Sequence, residues 1–258
     1  DSAVRQIMLG GIACEQHGPA AERAVLYLHG GAFFAGSPRT HRQLAQDLVR
    51  QLHAVVHVIE YRLAPEHPYP AALEDALAAW HGLRAMGFTP RQIIVAGDSA
   101  GGGLALSLSM ALRDLDSELP RALLLISPFT DLTLSSDAMH SLARRDPLLS
   151  RHVLRRAGDW YRYNLDLDDP RISPLHADCS RLPPTLVQVG SEEILLDDAL
   201  GLEVRVRAAG GCIECQIWPG MWHDFPLFHG RIPEAGLALA AMARFIDAVF
   251  ADQDPCRQ

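Results

Sequence analysis

Val95-Ala96-Gly97-Asp98-Ser99-Ala100-Gly101-Gly102-Gly103 closes an apolar run with Gly-x-Ser-x-Gly and then opens a helical pattern. Upstream, Arg91 to Gly97 reads as a buried strand through Ile93, Ile94 and Val95. Downstream, Leu104, Leu106, Leu108, Ala111 and Leu112 continue on a helix. A serine in such a strand-to-helix turn sits on a strained backbone with its oxygen exposed. Small residues two positions to either side let neighbouring chain segments come close enough to permit it. That context makes Ser99 a candidate nucleophile. The competing reading, a glycine-rich turn with an idle serine, loses ground as partner residues accumulate along the chain.

Working outward, apolar strands alternate with amphipathic helices, which predicts an α/β fold with a mostly parallel central sheet and helices on both faces. Val4 to Met8 and Ile12 to Glu15 read as a leading hairpin, Ala24 to His29 as a strand, and Arg39 to Leu52 as a helix. The strand Ala54 to Glu60 and the helix Ala71 to Ala85 precede the Ser99 turn. Ala122 to Ser127 and Thr185 to Gly190 are further strands, followed by helix Leu196 to Ala209, strand Ile213 to Trp218 and a closing helix from Ala235 to Phe250. Between Pro128 and Pro183 no strand pattern exists. There Ser150 is placed to cap a helix with Val153, Leu154, Ala157, Trp160 and Tyr161 on one face. The expected organisation is therefore a catalytic domain formed by residues 1–131 and 165–258, with Leu132 to Asn164 inserted over the sheet as a cap or lid.

A serine hydroxyl is a poor nucleophile near neutral pH and needs a base, an acid that orients the base, and donors for a developing oxyanion. Of the twelve histidines, His223 is best placed, in the turn-rich loop Pro219-Gly220-Met221-Trp222-His223-Asp224-Phe225 beyond the last strand. For the acid, Glu192, Glu193, Asp197 and Asp198 compete just past Thr185 to Gly190. Glu193 is preferred and Asp197 is the reserve, because Asp197 and Asp198 open a helix, where the dipole and free amides already explain them. The order Ser99, Glu193, His223 is that of α/β-hydrolases rather than of chymotrypsin or subtilisin. Oxyanion donors are expected from Gly30 and Gly31 in His29-Gly30-Gly31-Ala32-Phe33-Phe34, and from Ala100 after the nucleophile.

These motifs, with Tyr61-Arg62-Leu63-Ala64-Pro65-Glu66, Pro68, Pro70, Ser173-Pro174 and Met221-x-His223-x-Phe225, closely resemble the hormone-sensitive-lipase-like family of α/β-hydrolases, the bacterial family IV esterases. The resemblance runs from Ala24 to the C-terminus. It implies nucleophile and base roles for Ser99 and His223, an oxyanion hole at Gly30, Gly31 and Ala100, and buried polar pairing for Arg62 and Glu66. Two departures stand out. The acid position is glutamate where the family mostly carries aspartate, and the sequence starts almost at the first strands, where the family usually carries an N-terminal helical segment of its cap: the expectation is either that this segment was lost or removed, or that the enzyme works with a reduced cap formed mainly by Leu132 to Asn164.

The function expected is a serine carboxylesterase acting on small, short-chain acyl esters through an acyl-enzyme, with Phe33, Phe34, Asp98, Trp160, Trp222 and Phe225 as pocket candidates. An amidase, a deacetylase or a longer-chain lipase would share the same machinery. A binding protein on this scaffold, like plant hormone receptors whose catalytic histidine is replaced, is disfavoured by His223. No cofactor or metal is implied, since neither a Rossmann glycine pattern nor chelating spacing occurs. At 258 residues, 48% hydrophobic and 21% charged, the chain suits one soluble domain, and no run approaches the roughly 18 apolar residues of a membrane span. A net charge of −8 without a basic patch argues against nucleic acid, and all 23 basic residues are arginine. The five cysteines, Cys14, Cys179, Cys212, Cys215 and Cys256, do not resemble a disulfide framework, so a reducing cytoplasm is expected. A homodimer through the strand Ile213 to Trp218 is suggested by the resemblance alone.

Overall fold

The structure is a computed structural model that describes residues 4–256. The chain begins with an antiparallel hairpin, β1 (Arg5–Leu9) and β2 (Ile12–His17), and continues through β3 (Arg23–Leu28), α1 (Arg42–Leu52), β4 (Ala54–Ile59) and α2 (Ala71–Ala85). Then come β5 (Ile93–Asp98), α3 (Ser99–Asp114), β6 (Ala122–Ile126), α4 (Ala138–Ser141), α5 (Arg151–Tyr161), β7 (Thr185–Gly190), α6 (Leu196–Ala208), β8 (Ile213–Trp218) and α7 (Pro233–Phe250). The strands form one sheet in the order β1-β2-β4-β3-β5-β6-β7-β8, antiparallel only at β1 and β2.

β4, β5, β6 and β7 are buried at every residue, the pattern of parallel strands covered on both faces. The period-two alternation sorts them between two cores. Leu26, Leu28 and Val95 pack with α2, α3 and α6, while Val25, Tyr27, Val56 and Ile94 pack with α1 and α7. From β3 the chain steps to β4 on one side and then crosses back to β5 on the other. The carboxyl ends of β3 and β5 therefore flank a topological switch point, where open α/β sheets leave a crevice. Leu28 and Asp98 end those two strands, so the His29-Gly30-Gly31 loop and Ser99 emerge side by side.

Boundaries shift where prolines open short 3-10 turns: Pro38–His41 precedes α1 and Pro90–Gln92 precedes β5. In the 132–164 segment the Ser150 hydroxyl accepts from the Val153 amide at 3.3 Å, capping α5. Leu154, Ala157 and Tyr161 are buried, but Val153 faces solvent and Trp160 is half-buried, so the apolar face is narrower than its sequence pattern.

The cysteine expectation is corrected. Cys212 and Cys256, 44 residues apart, form a disulfide that ties the chain beyond α7 to the start of β8. Cys215, three residues after Cys212, lies within β8 instead, where burial pushes its thiol up to about 12. With a disulfide present, the cysteines no longer argue for a reducing compartment. Among the described residues no helix is long and apolar enough to cross a membrane.

Candidate active site

Ser99 begins α3 with φ 51°, left-handed backbone that a non-glycine residue adopts only under local constraint. The constraint is close packing. A Cβ at Gly101 would lie 2.0 Å from the Leu28 carbonyl oxygen, and one at Gly97 would lie 2.4 Å from that of Gly101, so only glycine lets strand and helix cross here. The turn presents Ser99 beside the loop after β3, with 4% of its surface exposed.

His223 follows β8, and its Nδ1 lies 2.7 Å from Glu193 Oε2. Glu193 is fully buried; its Oε1 accepts from Ser127 Oγ at 2.7 Å and from the Gly190 amide at 2.6 Å. The three competing carboxylates go elsewhere. Asp197 accepts from the Ala138 amide at 2.7 Å, Asp198 from the Thr130 and Asp131 amides, and Glu192 pairs with Arg145. Asp146, also buried, accepts from the Ile194 amide at 3.0 Å. Thus Glu193 alone of the four meets the imidazole, while its neighbours fasten the segment around α4 to the same loop. Ser127, at the end of β6 with φ 43°, was not singled out from sequence; nothing in its spacing marks it.

The glycine loop requires one correction. The Gly30 amide donates to Asp98 Oδ1 at 3.0 Å, so it is already committed to an internal acceptor and does not face the crevice as a free donor. The following residues, Gly31 and Ala32, have φ 121° and 53°, and among the described residues their amides have no acceptor. Ala100, second in α3, lies where helix amides lack an intrahelical partner. Gly31, Ala32 and Ala100 are therefore amides left without an acceptor beside Ser99's turn, and Ala32 carries no glycine signal in the sequence.

Asp98 is not a pocket residue. It is 1% exposed and accepts from Tyr27 Oη at 2.7 Å as well as from Gly30, while Oδ2 meets His41 Nε2 at 3.1 Å. Burial would raise the Asp98 carboxyl, but His41 outweighs it and holds it below the usual range. Burial would likewise depress His41, yet Asp98 brings it up to about 9. His29, stacked on Tyr61 at 4.3 Å, is pushed down to about 4 by burial.

Phe225 is also corrected: it is fully buried against Trp218, Ala235 and Ala238. Phe33 is 3% exposed and stacks on Tyr161 at 3.8 Å, joining the glycine loop to α5. Phe34 and Trp160 remain as a half-buried edge-to-face pair at 5.3 Å, and Trp222 leans edge-on against Phe228. Arg62 pairs with Asp75 and Glu74, but its side chain is 43% exposed and Glu66 lies in solvent, so the buried pairing expected of them is not found.

His223 Nε2 lies 3.0 Å from Asp224 Oδ2. Burial alone would depress His223, but Asp224 and Glu193 together hold it well above its ordinary value. Asp224 itself is pushed up to about 7, by burial first. Among the described residues the one cluster with metal-binding spacing is Cys212, Asp254 and Cys256, whose two sulfurs are bonded to each other. A cavity of about 490 Å³ opens beside Ser107, Met110 and Arg113, at the far end of α3 from Ser99.

The sequence profile of the family described as alpha/beta hydrolase fold matches residues 25–227. An esterase of Acinetobacter venetianus is 40% identical over 253 residues, covering 96% of this chain and 83% of that protein. An acetyl-hydrolase of Streptomyces hygroscopicus is 40% identical over 242 residues, 93% of this chain and 81% of that protein. A crystal structure of a hormone-sensitive lipase from a metagenome library superposes with TM-score 0.93 at 38% identity, over 96% of this chain and 84% of that one. The chain thus belongs to the α/β-hydrolase family, among its hormone-sensitive-lipase-like bacterial family IV esterases, and is a carboxylic ester hydrolase.

Proposed function

We propose that the chain hydrolyses short-chain acyl esters through an acyl-enzyme formed on Ser99. The observation that carries this reading is the 2.7 Å Glu193–His223 pair at the carboxyl end of the sheet where the Ser99 turn emerges. His223 takes the Ser99 proton as Oγ attacks the ester carbonyl, and Glu193 orients the ring and stabilises the imidazolium. The Gly31, Ala32 and Ala100 amides stabilise the oxyanion. His223 returns the proton to the leaving alcohol and then activates water to release the acid.

Residues 132–164 serve as the cap. Their anchoring to the Glu193 loop through Asp146, Asp197 and Glu192 supports that role, and Phe34 with Trp160 limits the acyl chain. β8 is one of the two edge strands of the sheet, and two copies would pair along it. Two named relatives guide the choice of probe: the acetyl-hydrolase, and a structure of EstE5 soaked with p-nitrophenyl butyrate (37% identity, TM-score 0.94, 97% of this chain and 86% of that one).

The test is pre-steady-state hydrolysis of p-nitrophenyl acetate, butyrate, octanoate and palmitate. Wild type is expected to give a burst with the short esters and little turnover of palmitate, and Ser99→Ala to lose about 10⁴-fold or more in kcat while keeping its fold. Residual Ser99→Ala activity above about a hundredth of wild type would remove Ser99 from the mechanism.

A further inference from the structure

We propose that Asp224 is a positioning residue of this site: in the empty enzyme its carboxylate holds the Nε2 proton of His223 and must give it up before Ser99 can be deprotonated. The inference rests on the reading of His223 as the base. With Nδ1 engaged by Glu193 at 2.7 Å, only Nε2 remains to serve Ser99, and that nitrogen lies 3.0 Å from Asp224 Oδ2, an ion-pair contact. An imidazole flanked by carboxylates on both nitrogens keeps both protons, and a doubly protonated ring accepts nothing.

The way Asp224 is held fits a contact made to be released. Its backbone is fixed, because its amide donates to Ser127 Oγ at 3.2 Å and Ser127 in turn donates to Glu193. Among the described residues its side chain is held only at Oδ2, since Oδ1 is buried without a hydrogen-bond partner. An unpaired buried carboxylate oxygen is costly and normally finds a donor. Asp224 also takes φ 54°, left-handed backbone that aspartate and asparagine tolerate better than most residues.

The electrostatic surroundings favour release as well as capture. Asp224 senses His223 on its own loop, Glu193 beyond β7 and Asp98 at the end of β5. His41, ahead of α1, and Tyr27 on β3 feel its charge in turn. Three carboxylates thus share this end of the sheet. The charged His223 is the strongest attraction on Asp224, and burial with the other two acids opposes that attraction. When the Nε2 proton passes to solvent, nothing on the side chain retains the carboxylate. It swings aside, leaving the Nε2 lone pair to the Ser99 hydroxyl.

The consequence is a rise of kcat/KM at higher pH than an ordinary imidazole would give. The experiment is the pH profile of p-nitrophenyl acetate hydrolysis by wild type, Asp224→Asn and Asp224→Gly, beside a ¹⁵N NMR titration of His223 in the Ser99→Ala background with and without Asp224→Asn. Asparagine keeps the left-handed backbone accessible and glycine adopts it freely, so two variants guard against a folding failure. The acid limb is expected to fall by about one unit in both, making them about fivefold faster than wild type one unit below its midpoint, and the His223 titration to fall with it. Superimposable wild-type and variant titrations, with turnover still dependent on Ser99, overturn the Asp224 inference alone. A shifted titration alongside undiminished Ser99→Ala turnover upholds the contact and overturns the base reading instead.

Discussion

Two buried carboxylate–imidazole pairs face each other across the carboxyl end of the sheet, Glu193 with His223 at 2.7 Å and Asp98 with His41 at 3.1 Å. They are chemically alike and differ in what surrounds their free ends. Asp98 also accepts from the Tyr27 hydroxyl and the Gly30 amide, and the other nitrogen of His41 lies by the Ser37 carbonyl and Thr40 hydroxyl. That network is closed and joins β3, the glycine loop, β5 and the entry to α1. Glu193 is equally saturated, but Nε2 of its histidine has, among the described residues, only the contact to Asp224. Identical chemistry becomes a strut when all its donors are matched within the fold, and meets the requirement of the proposed working pair when one nitrogen is left to the site.

The sharpest way to break this contrast is to remove one charge from each pair. Glu193→Gln is expected to lower kcat about 10⁴-fold, because the amide no longer fixes the imidazole tautomer or stabilises the imidazolium. Asp197→Asn, whose parent carboxylate accepts from the Ala138 amide instead, is expected to stay within a few-fold of wild type; steady-state kinetics of both decides the acid. Asp98→Ala acts on stability. It strands the His41 charge, the Tyr27 hydroxyl and the Gly30 amide in the interior, a loss of about 3–5 kcal/mol in urea unfolding. Should Glu193→Gln destabilise as much as Asp98→Ala, the division between strut and working pair is mistaken.

How far the sequence foretells this arrangement depends on range. Ser99 is legible because its constraint is local: a strand, a glycine-flanked turn and a helix within a dozen residues. The hydrophobic periodicity of β3 through β8 is legible for the same reason, as is the Ser150 cap. Glu193 could be ranked first only by discounting Asp197 and Asp198 as helix-opening acids, and the structure gives each of those a different amide. The Gly30 bond to Asp98, 68 residues away, is not legible locally, because a glycine signals a permissive backbone without saying where its N–H points. Ser127, His41 and the Cys212–Cys256 bond are likewise set by tertiary proximity, and Phe225 looked like a pocket wall because sequence cannot say which side of a loop is covered.

A final prediction sharpens the comparison by adding histidines for which burial outweighs everything that opposes it. His57 in β4 and His29 after β3 are buried, and burial pushes each down to about 4. The folded state therefore favours their neutral form. Their contribution to stability is present above the unfolded value near 6.5 and is lost as pH falls toward 4, on the order of 2 kcal/mol for each by pH 5. His41 runs the other way, at about 9: its contribution is complete below about 6.5 and is lost as pH rises toward 9. Stability measured by urea unfolding should thus peak between about pH 6 and 7 and decline on both sides. His57→Leu should flatten the acid side, because an apolar residue at that buried position has no proton to gain. Asp98→Ala should flatten the alkaline side, because without the carboxylate His41 loses the partner that raises it. A curve level from pH 5 to 9 in wild type would mean that none of these imidazoles is coupled to folding. The strut would then owe its strength to hydrogen bonds alone.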